Sequence, residues 1–380
     1  MSGSDQAPKH SPQAMDQVQA TRSPGLSGVA TSTSHTAQTW AKPLYTDPQL
    51  AAALASALRA APSKVQRLGV GLSGGPDSAM LVVHAADYAR RHGVSLYCLH
   101  VHHGLQEAAG QWRDQARDLA HKVQADWCER RVVVDFSRGD GMESAARSAR
   151  YEALIEMGRS LSLDAILLAH HQDDQAETVL MRLLRGAGPD GLAAMRPAMQ
   201  RQGQVFFRPW LDMPRKRISD CASHYEQVFG WKAVQDPSNV QEDYTRGAVR
   251  TRLTPHLNER WLGWQAVLAR HARQSAEVAE ILAEVCEQDF AALQPADDGL
   301  SFSLAAWRNL SPARQAQVLR YWLAQAGLRM PSDARLQELM RQMRGLHAMG
   351  HDRDLQLRHD GYLIRCVRGR MLLQLANALQ

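Results

Sequence analysis

The chain predicts an α/β fold: a parallel sheet with helices on both faces, followed by a smaller, mainly helical domain. Apolar runs and stretches of helical periodicity alternate between residues 48 and 186, the pattern of strands joined by crossover helices. The first of these runs ends in a glycine-rich turn, "GLSGGPDSAM" at residues 71–80, which opens directly into a helix. Beyond about residue 257 helical periodicity continues with Trp, Leu and Arg, but no new glycine loop appears.

Taken in order, residues 1–45 are rich in Ser, Thr, Gln, Ala and Pro and are expected to be a disordered tail. They cannot bury enough apolar surface to offset their ordering entropy. A helix at roughly 48–61 leads to a strand at 67–72 and a helix to about 91. "VSLYCLHVHHG" reads as the second strand, residues 107–126 as the second helix, and "WCERRVVVD" as the third strand. A third helix covers 142–161 and "DAILLAHH" is the fourth strand. The fourth helix, 173–186, ends at Gly186–Ala187–Gly188–Pro189, a run that cannot continue it. After "VFFRPWLDMPRKR" comes a helix to about 229 and a turn-rich connector, "WKAVQDPSNVQEDYTRGAVRTRL". The expected domains are therefore the tail at 1–45, a nucleotide-binding sheet domain at 46–256 and the helical domain at 257–380.

Composition narrows the class. The formal charge of +5 and a pI near 9.0 permit a polyanionic partner without demanding one. Basic residues gather at 201–217 and 341–370, the second stretch holding seven arginines against three aspartates. The five cysteines, Cys98, Cys128, Cys221, Cys286 and Cys366, are far apart and form no CxxC pair. Neither a zinc site nor a disulfide framework is expected, and a reducing cytoplasm fits. No apolar run approaches the ~18 residues of a membrane helix, and no export signal opens the chain.

Ligands on parallel sheets bind beyond the carboxyl ends of the strands, at a switch in strand order. Three strand ends here carry polar clusters: Ser73–Ser78, His100–Gly104 and His170–Glu177. In the first, Gly74 and Gly75 let backbone N–H groups approach a phosphate, and Ser73 and Ser78 add hydroxyls. The loop lacks the lysine of a GxxxxGK[ST] motif and carries Asp77 instead. A carboxylate is tolerable beside phosphates only with a cation between them, which points to Mg²⁺ and ATP. Without that lysine, cleavage between the α- and β-phosphates is the natural suggestion. In the third cluster, Asp174 and Glu177 stand at i,i+3 on one helix face, with Ala176, Val179, Leu180, Leu183 and Leu184 as the expected buried stripe. Two acids together suit a cation, either metal or ammonium; helix capping is the plainer reading, and Asp173 fits it.

The motif SGGxDS after a first strand resembles the PP-loop of the N-type ATP pyrophosphatases, an adenine-nucleotide α-hydrolase-like fold. With "HVHHGL", "ESAARSARYEAL", "LLAHHQDDQAETVLMRLLRGAGPDGLAAM", "RPWL" and "WKAVQDPSNVQEDYTRGAVR", residues 66–256 resemble the bacterial tRNA(Ile)-lysidine synthetases. The resemblance implies adenylation of the C2 oxygen of the wobble cytidine in a CAU-anticodon isoleucine tRNA, followed by displacement of AMP by L-lysine. It implies ATP and Mg²⁺ as cofactors, and tRNA and L-lysine as partners, with no membrane and a homodimer as the candidate assembly. The ATP loop would be Ser73, Gly74, Gly75, Pro76, Asp77 and Ser78, and the catalytic set Asp77, His170, Asp174 and Glu177. Asp77 and Asp174 would be the metal ligands, with Asp174 alternatively on the lysine. His102 and His103 are candidates for the nucleotide side. Arg147, Arg150, Tyr151, Arg208, Asp236, Asn239, Arg246 and Arg250 would face substrate or RNA. One departure is Gly247, where the family usually shows Asn after the arginine; another is the expected lack of the second C-terminal domain of longer members. Other readings are a PP-loop tRNA thiolase, for which this cysteine spacing supplies neither a reactive pair nor a cluster, a small-molecule adenylating synthetase, and a catalytically silent binding module.

Overall fold

Side chains along the second strand go alternately to two cores, Leu96 and Cys98 to one, Tyr97 and Leu99 to the other, so the sheet is covered on both faces. The computed structural model describes residues 44–102, 108–133, 142–235, 245–346 and 355–376. Over the first part the order is α1 (Pro48–Arg59), β1 (Arg67–Gly71), α2 (Pro76–His92), β2 (Ser95–His102), α3 (Ala109–Lys122), β3 (Asp126–Arg131), α4 (Met142–Ser160), β4 (Ala165–Leu167) and α5 (Gln172–Leu183). There follow α6 (Pro189–Leu192), the hairpin β5 (Ala198–Arg201) and β6 (Gln204–Phe207), and α7 (Arg215–Phe229). The sheet order is β3-β2-β1-β4-β6-β5, parallel except for the β5 edge. Strand order reverses between β1 and β4, so the loops leaving these two strands face one crevice. Gly69 admits the packing there: a Cβ on it would meet Leu163 at 2.7 Å and Leu99 at 2.9 Å.

One core lies under α1, α2, α3 and α7 and includes Leu54, Met80, Leu119, Trp210 and Ile218; the other lies under α4 and includes Tyr151, Leu154 and Phe206. The N-terminal helix is latched as well as buried. His84 of α2 accepts from the Asp47 N–H at 3.0 Å, and Arg217 pairs with the Asp47 carboxylate at 2.9 Å.

The chain continues through α8 (Thr245–Ala248), a π-helical turn (Val249–Leu253), α9 (Thr254–Arg260) and α10 (Trp264–Ala292). Helix α10 packs on α5 and α6 at one end and on α12 at the other. The last part holds β7 (Ser301–Ser303), α11 (Leu304–Arg308), α12 (Pro312–Gln325), α13 (Asp333–Gly345), β8 (Gln356–His359), β9 (Tyr362–Val367) and β10 (Arg370–Leu375). It differs from the mainly helical expectation by a four-stranded antiparallel sheet, β7-β10-β9-β8. The turns between its strands, Asp360–Gly361 and Arg368–Gly369, have φ of 48°, 78°, 47° and 76°, the left-handed pairs of tight hairpins. No described helix is long and apolar enough to cross a membrane.

Two further expectations need correction. Strand β4 stops at Leu167, because the chain then turns to cap α5, so His170 and His171 lie beyond the strand. On α5 the buried residues are Asp174, Gln175, Ala176, Glu177 and Val179, while Leu183 and Leu184 are 52% and 71% exposed. The helix buries its acids because other side chains pair with them there; its last turn carries the two leucines into solvent. The tail up to residue 43, His103, Asp236 and Asn239 lie outside the described residues.

Candidate functional site

The β1–α2 loop is closed by its own groups. Ser78 Oγ donates to the Gly75 carbonyl at 3.1 Å and receives Ser73 N–H at 3.2 Å. The two serine hydroxyls are 3.0 Å apart, and Gly75 N–H reaches Ser73 Oγ at 3.3 Å. Gly74 adopts φ +93°, accepts from Val234 N–H at 2.9 Å through its carbonyl, and would press a Cβ against Val234 at 3.0 Å. Only glycine meets both conditions. Gly75 caps α2 and Pro76 occupies its first turn, so the free N–H groups of that turn open toward the crevice.

Asp77 stands in the same first turn. Its Oδ2 lies 3.7 Å from His171 Nε2, and its buried Oδ1 has no hydrogen-bond partner among the described residues. Burial pushes the Asp77 carboxyl up, but the facing His171 ring, with Arg215 and Arg250, holds it below the usual range on balance.

The β4–α5 loop is built from charged side chains. His171, 2% exposed, caps α5: its Nδ1 accepts from Asp174 N–H at 3.3 Å while its own N–H donates to Asp174 Oδ2 at 3.2 Å. That bond commits the Nδ1 lone pair, so the ring proton sits on Nε2, which faces Asp174 Oδ2 at 3.5 Å and Asp77 Oδ2 at 3.7 Å. Burial pulls the His171 pKa down, yet the facing Asp77 carboxylate and the charges of Asp174 and Asp173 raise it on balance. For Asp174 burial acts upward, and His171, His170, Arg246 and Arg250 outweigh it, lowering the pKa.

Glu177 is gripped from the π-helical turn. Arg250 Nε donates to Oε1 at 2.7 Å and Nη2 to Oε2 at 2.9 Å, with a further bond from Nη2 to Asp174 Oδ1 at 3.2 Å. Arg246 Nε lies 3.6 Å from Glu177 Oε2, and its Nη2 donates to Thr178 Oγ1 at 3.3 Å. The pair that the sequence offers to a cation thus already holds one of the chain's own. Gly247 lies buried between these arginines and accepts from Thr251 Oγ1 at 3.1 Å through its carbonyl.

The remaining residues form a basic wall. Arg208 Nη2 donates to Tyr151 Oη at 2.9 Å and Nη1 to the Arg196 carbonyl at 2.6 Å, both side chains being buried. Arg147 and Arg201 lie 5.4 Å and 5.3 Å from the centre of the Tyr151 ring. Burial raises the Tyr151 pKa, but Arg208, Arg147 and Arg150 bring it below its ordinary value. Arg150 Nε and His170 Nδ1 are buried without hydrogen-bond partners. Burial drives the His170 pKa well down; Asp174 opposes this, while Arg208, Arg150 and Arg147 reinforce it. His170 is therefore neutral at pH 7, with Asp174 and three arginines as its charged neighbours, whereas His171 stands between the carboxylates of Asp77 and Asp174. Tyr151 and Arg208 brace the wall from inside rather than meeting solvent.

His100, near the end of β2, donates from Nδ1 to the Leu72 carbonyl at 2.8 Å and stacks on Trp127, tying that strand to the glycine loop. Among the described residues no three His, Cys, Asp or Glu side chains form a metal cage. Two carboxylates, Asp77 and Asp174, on either side of His171 are a donor set that suits a magnesium ion shared with phosphate oxygens.

Known proteins resemble this chain over both of its parts. Residues 46–257 match the PP-loop domain family and residues 302–372 the TilS substrate binding domain. The tRNA(Ile)-lysidine synthase of Bordetella pertussis is 55% identical over 318 residues, 84% of this chain and 99% of that protein. That of Ralstonia nicotianae is 41% identical over 82% of this chain and 66% of its own length. Among solved structures, the U34-tRNA thiolase NcsA of Methanococcus maripaludis aligns at a TM-score of 0.49 and 16% identity, over 60% of this chain and 78% of that one.

Proposed function

Since the chain belongs to the tRNA(Ile)-lysidine synthase family, an ATP-using enzyme family of tRNA modification, we propose how its own residues divide the two steps of lysidine synthesis. The observation that carries the proposal is the meeting of Asp77, Asp174 and Glu177 at the ends of adjacent strands, joined by His171 and Arg250.

In the first step the glycine loop and the first turn of α2 hold the ATP phosphates. Asp77 and Asp174 would hold Mg²⁺, which when bound neutralises charge on those phosphates. The C2 oxygen of the wobble cytidine in a CAU-anticodon isoleucine tRNA bonds to the α-phosphorus as pyrophosphate leaves. In the second, an uncharged amine of L-lysine bonds to C2, the C2–O bond breaks, AMP departs and the amine loses a proton. Lysine's other ammonium needs an acid, and Glu177 with Asp174 offers one in competition with Arg250. His170, kept neutral by its surroundings, is the nearby acceptor for the amine proton. Arg147, Arg150, Arg246 and Arg250 present cations to the RNA, with Asp236 and Asn239 in the same segment as the last two. The tail at 1–45 is dispensable in this reading, 46–256 does the chemistry and 257–380 holds the tRNA. A cytoplasmic location and a homodimer belong to the same reading, and sedimentation tests the homodimer.

Nucleoside mass spectrometry of isoleucine tRNA after incubation with the protein, ATP, Mg²⁺ and lysine tests the whole reading. A wobble nucleoside heavier by one lysine less water is expected. An unmodified cytidine, or a sulfur-bearing base, overturns it.

A further inference from the structure

We infer that His171 is a positioning residue, standing between Oδ2 of Asp77 and Oδ2 of Asp174 and so fixing the spacing of the two carboxylates for a cation. The two carboxylates arrive after different strands, one after β1 and one after β4; Arg250 bonds Asp174 and lends its charge to Asp77, and the His171 ring is within 4 Å of both. Left alone, two anions so near each other separate. The imidazole Nε2–H stands between them, 3.7 Å from Asp77 and 3.5 Å from Asp174. Its orientation is not free, because Nδ1 is held by the Asp174 N–H and the ring is 2% exposed. The cap of α5 therefore aims the ring, and the ring aims the carboxylates. The Asp77 side chain keeps 24% of its surface open while its Oδ1 is buried, so the accessible carboxylate oxygen is Oδ2, the one that faces the ring. Partners of this kind, one shell out from a metal, commonly change its affinity 10- to 100-fold.

The inference rests on Asp77 and Asp174 holding Mg²⁺, and its test separates the two ideas. Asn is among the best N-cap residues, so His171→Asn keeps the bond to Asp174 N–H, but its side chain is too short to reach Asp77. Mn²⁺ binding is read by electron paramagnetic resonance with α,β-methylene ATP, which cannot release pyrophosphate, alongside thermal melting. Wild type should bind Mn²⁺ with the nucleotide, and His171→Asn should bind it on the order of 10-fold or more weakly at an unchanged melting temperature. His171→Ala should show the same weakening together with a lower melting temperature. Equal Mn²⁺ affinity in wild type and His171→Asn makes His171 a helix cap and nothing more, overturning the inference. No Mn²⁺ binding by the wild-type complex overturns the metal assignment itself.

Discussion

The two loops that meet at the sheet's switch point are built on opposite plans. The β1–α2 loop satisfies itself with hydroxyls and backbone, Ser73, Gly75 and Ser78 bonding one another within six residues. The β4–α5 loop depends on distant side chains, Arg250 reaching Glu177 across 73 residues and Asp77 lying opposite His171. The first can be rigid before any ligand arrives. The second has its geometry set by charge balance, so anything that alters a charge there should alter the site without unfolding the sheet.

The largest test falls on the one acid of the self-contained loop. Asp77→Asn should lower pyrophosphate release by about 10²–10³-fold while leaving the melting temperature nearly unchanged, since Oδ1 has no structural partner to lose. Wild-type turnover across a Mg²⁺ titration, or ADP as the product, breaks the assignment. Next is Glu177→Gln, which weakens a charge-assisted pair worth ~1.5–3 kcal/mol. The lysine KM should rise roughly 10- to 100-fold while pyrophosphate release on tRNA continues. Release that stops before lysine is added would move Glu177 to the first step.

Gly74→Ala probes the rigid loop by itself. With φ at +93° and Val234 at 3.0 Å, it should destabilise by about 1–3 kcal/mol in urea unfolding and weaken ATP binding. A stability loss of nearly zero would mean the loop is softer than its bonding implies. The smallest effect concerns the neighbouring histidines, whose shifts have opposite sign. His171 has a raised pKa, so its charge pairing with the acids contributes below pH 6.5 and is lost as pH rises through the folded value, offset in part because the protonated ring gives up the Nδ1 acceptor that caps α5. His170 has a lowered pKa, so its contribution is complete above pH 6.5 and declines as pH falls toward the folded value. Melting curves from pH 5 to 8 should therefore flatten in opposite directions for His171→Gln and His170→Gln. Identical changes in the two variants would show that the site does not distinguish them.

The same contrast explains what could be read from the sequence. The glycine loop was legible because its chemistry needs consecutive residues, and the alternation of strands and helices gave the switch point. Between His170 and His171 the sequence favoured His170, because side-chain direction cannot be counted past the end of a strand, and β4 ends at Leu167. The role of Arg250 as partner of Glu177 was hidden by separation along the chain. The C-terminal sheet had a local signal in Asp360–Gly361, overlooked amid strong helical periodicity. The exposure of Leu183 and Leu184 follows from a helix that ends before its apolar stripe does.

Helix α10 runs unbroken for 29 residues, about 43 Å at 1.5 Å per residue, with α5 and α6 at one end and α12 at the other. Such a shaft transmits phase as well as distance. One residue inserted between Ala276 and Cys286 would turn the C-terminal part by roughly 100° and advance it only about 1.5 Å, whereas seven would lengthen it by about 10 Å and restore its heading to within ~20°. The enzyme therefore carries a ruler and a compass in one element, and insertions of different length between these residues would read the two separately.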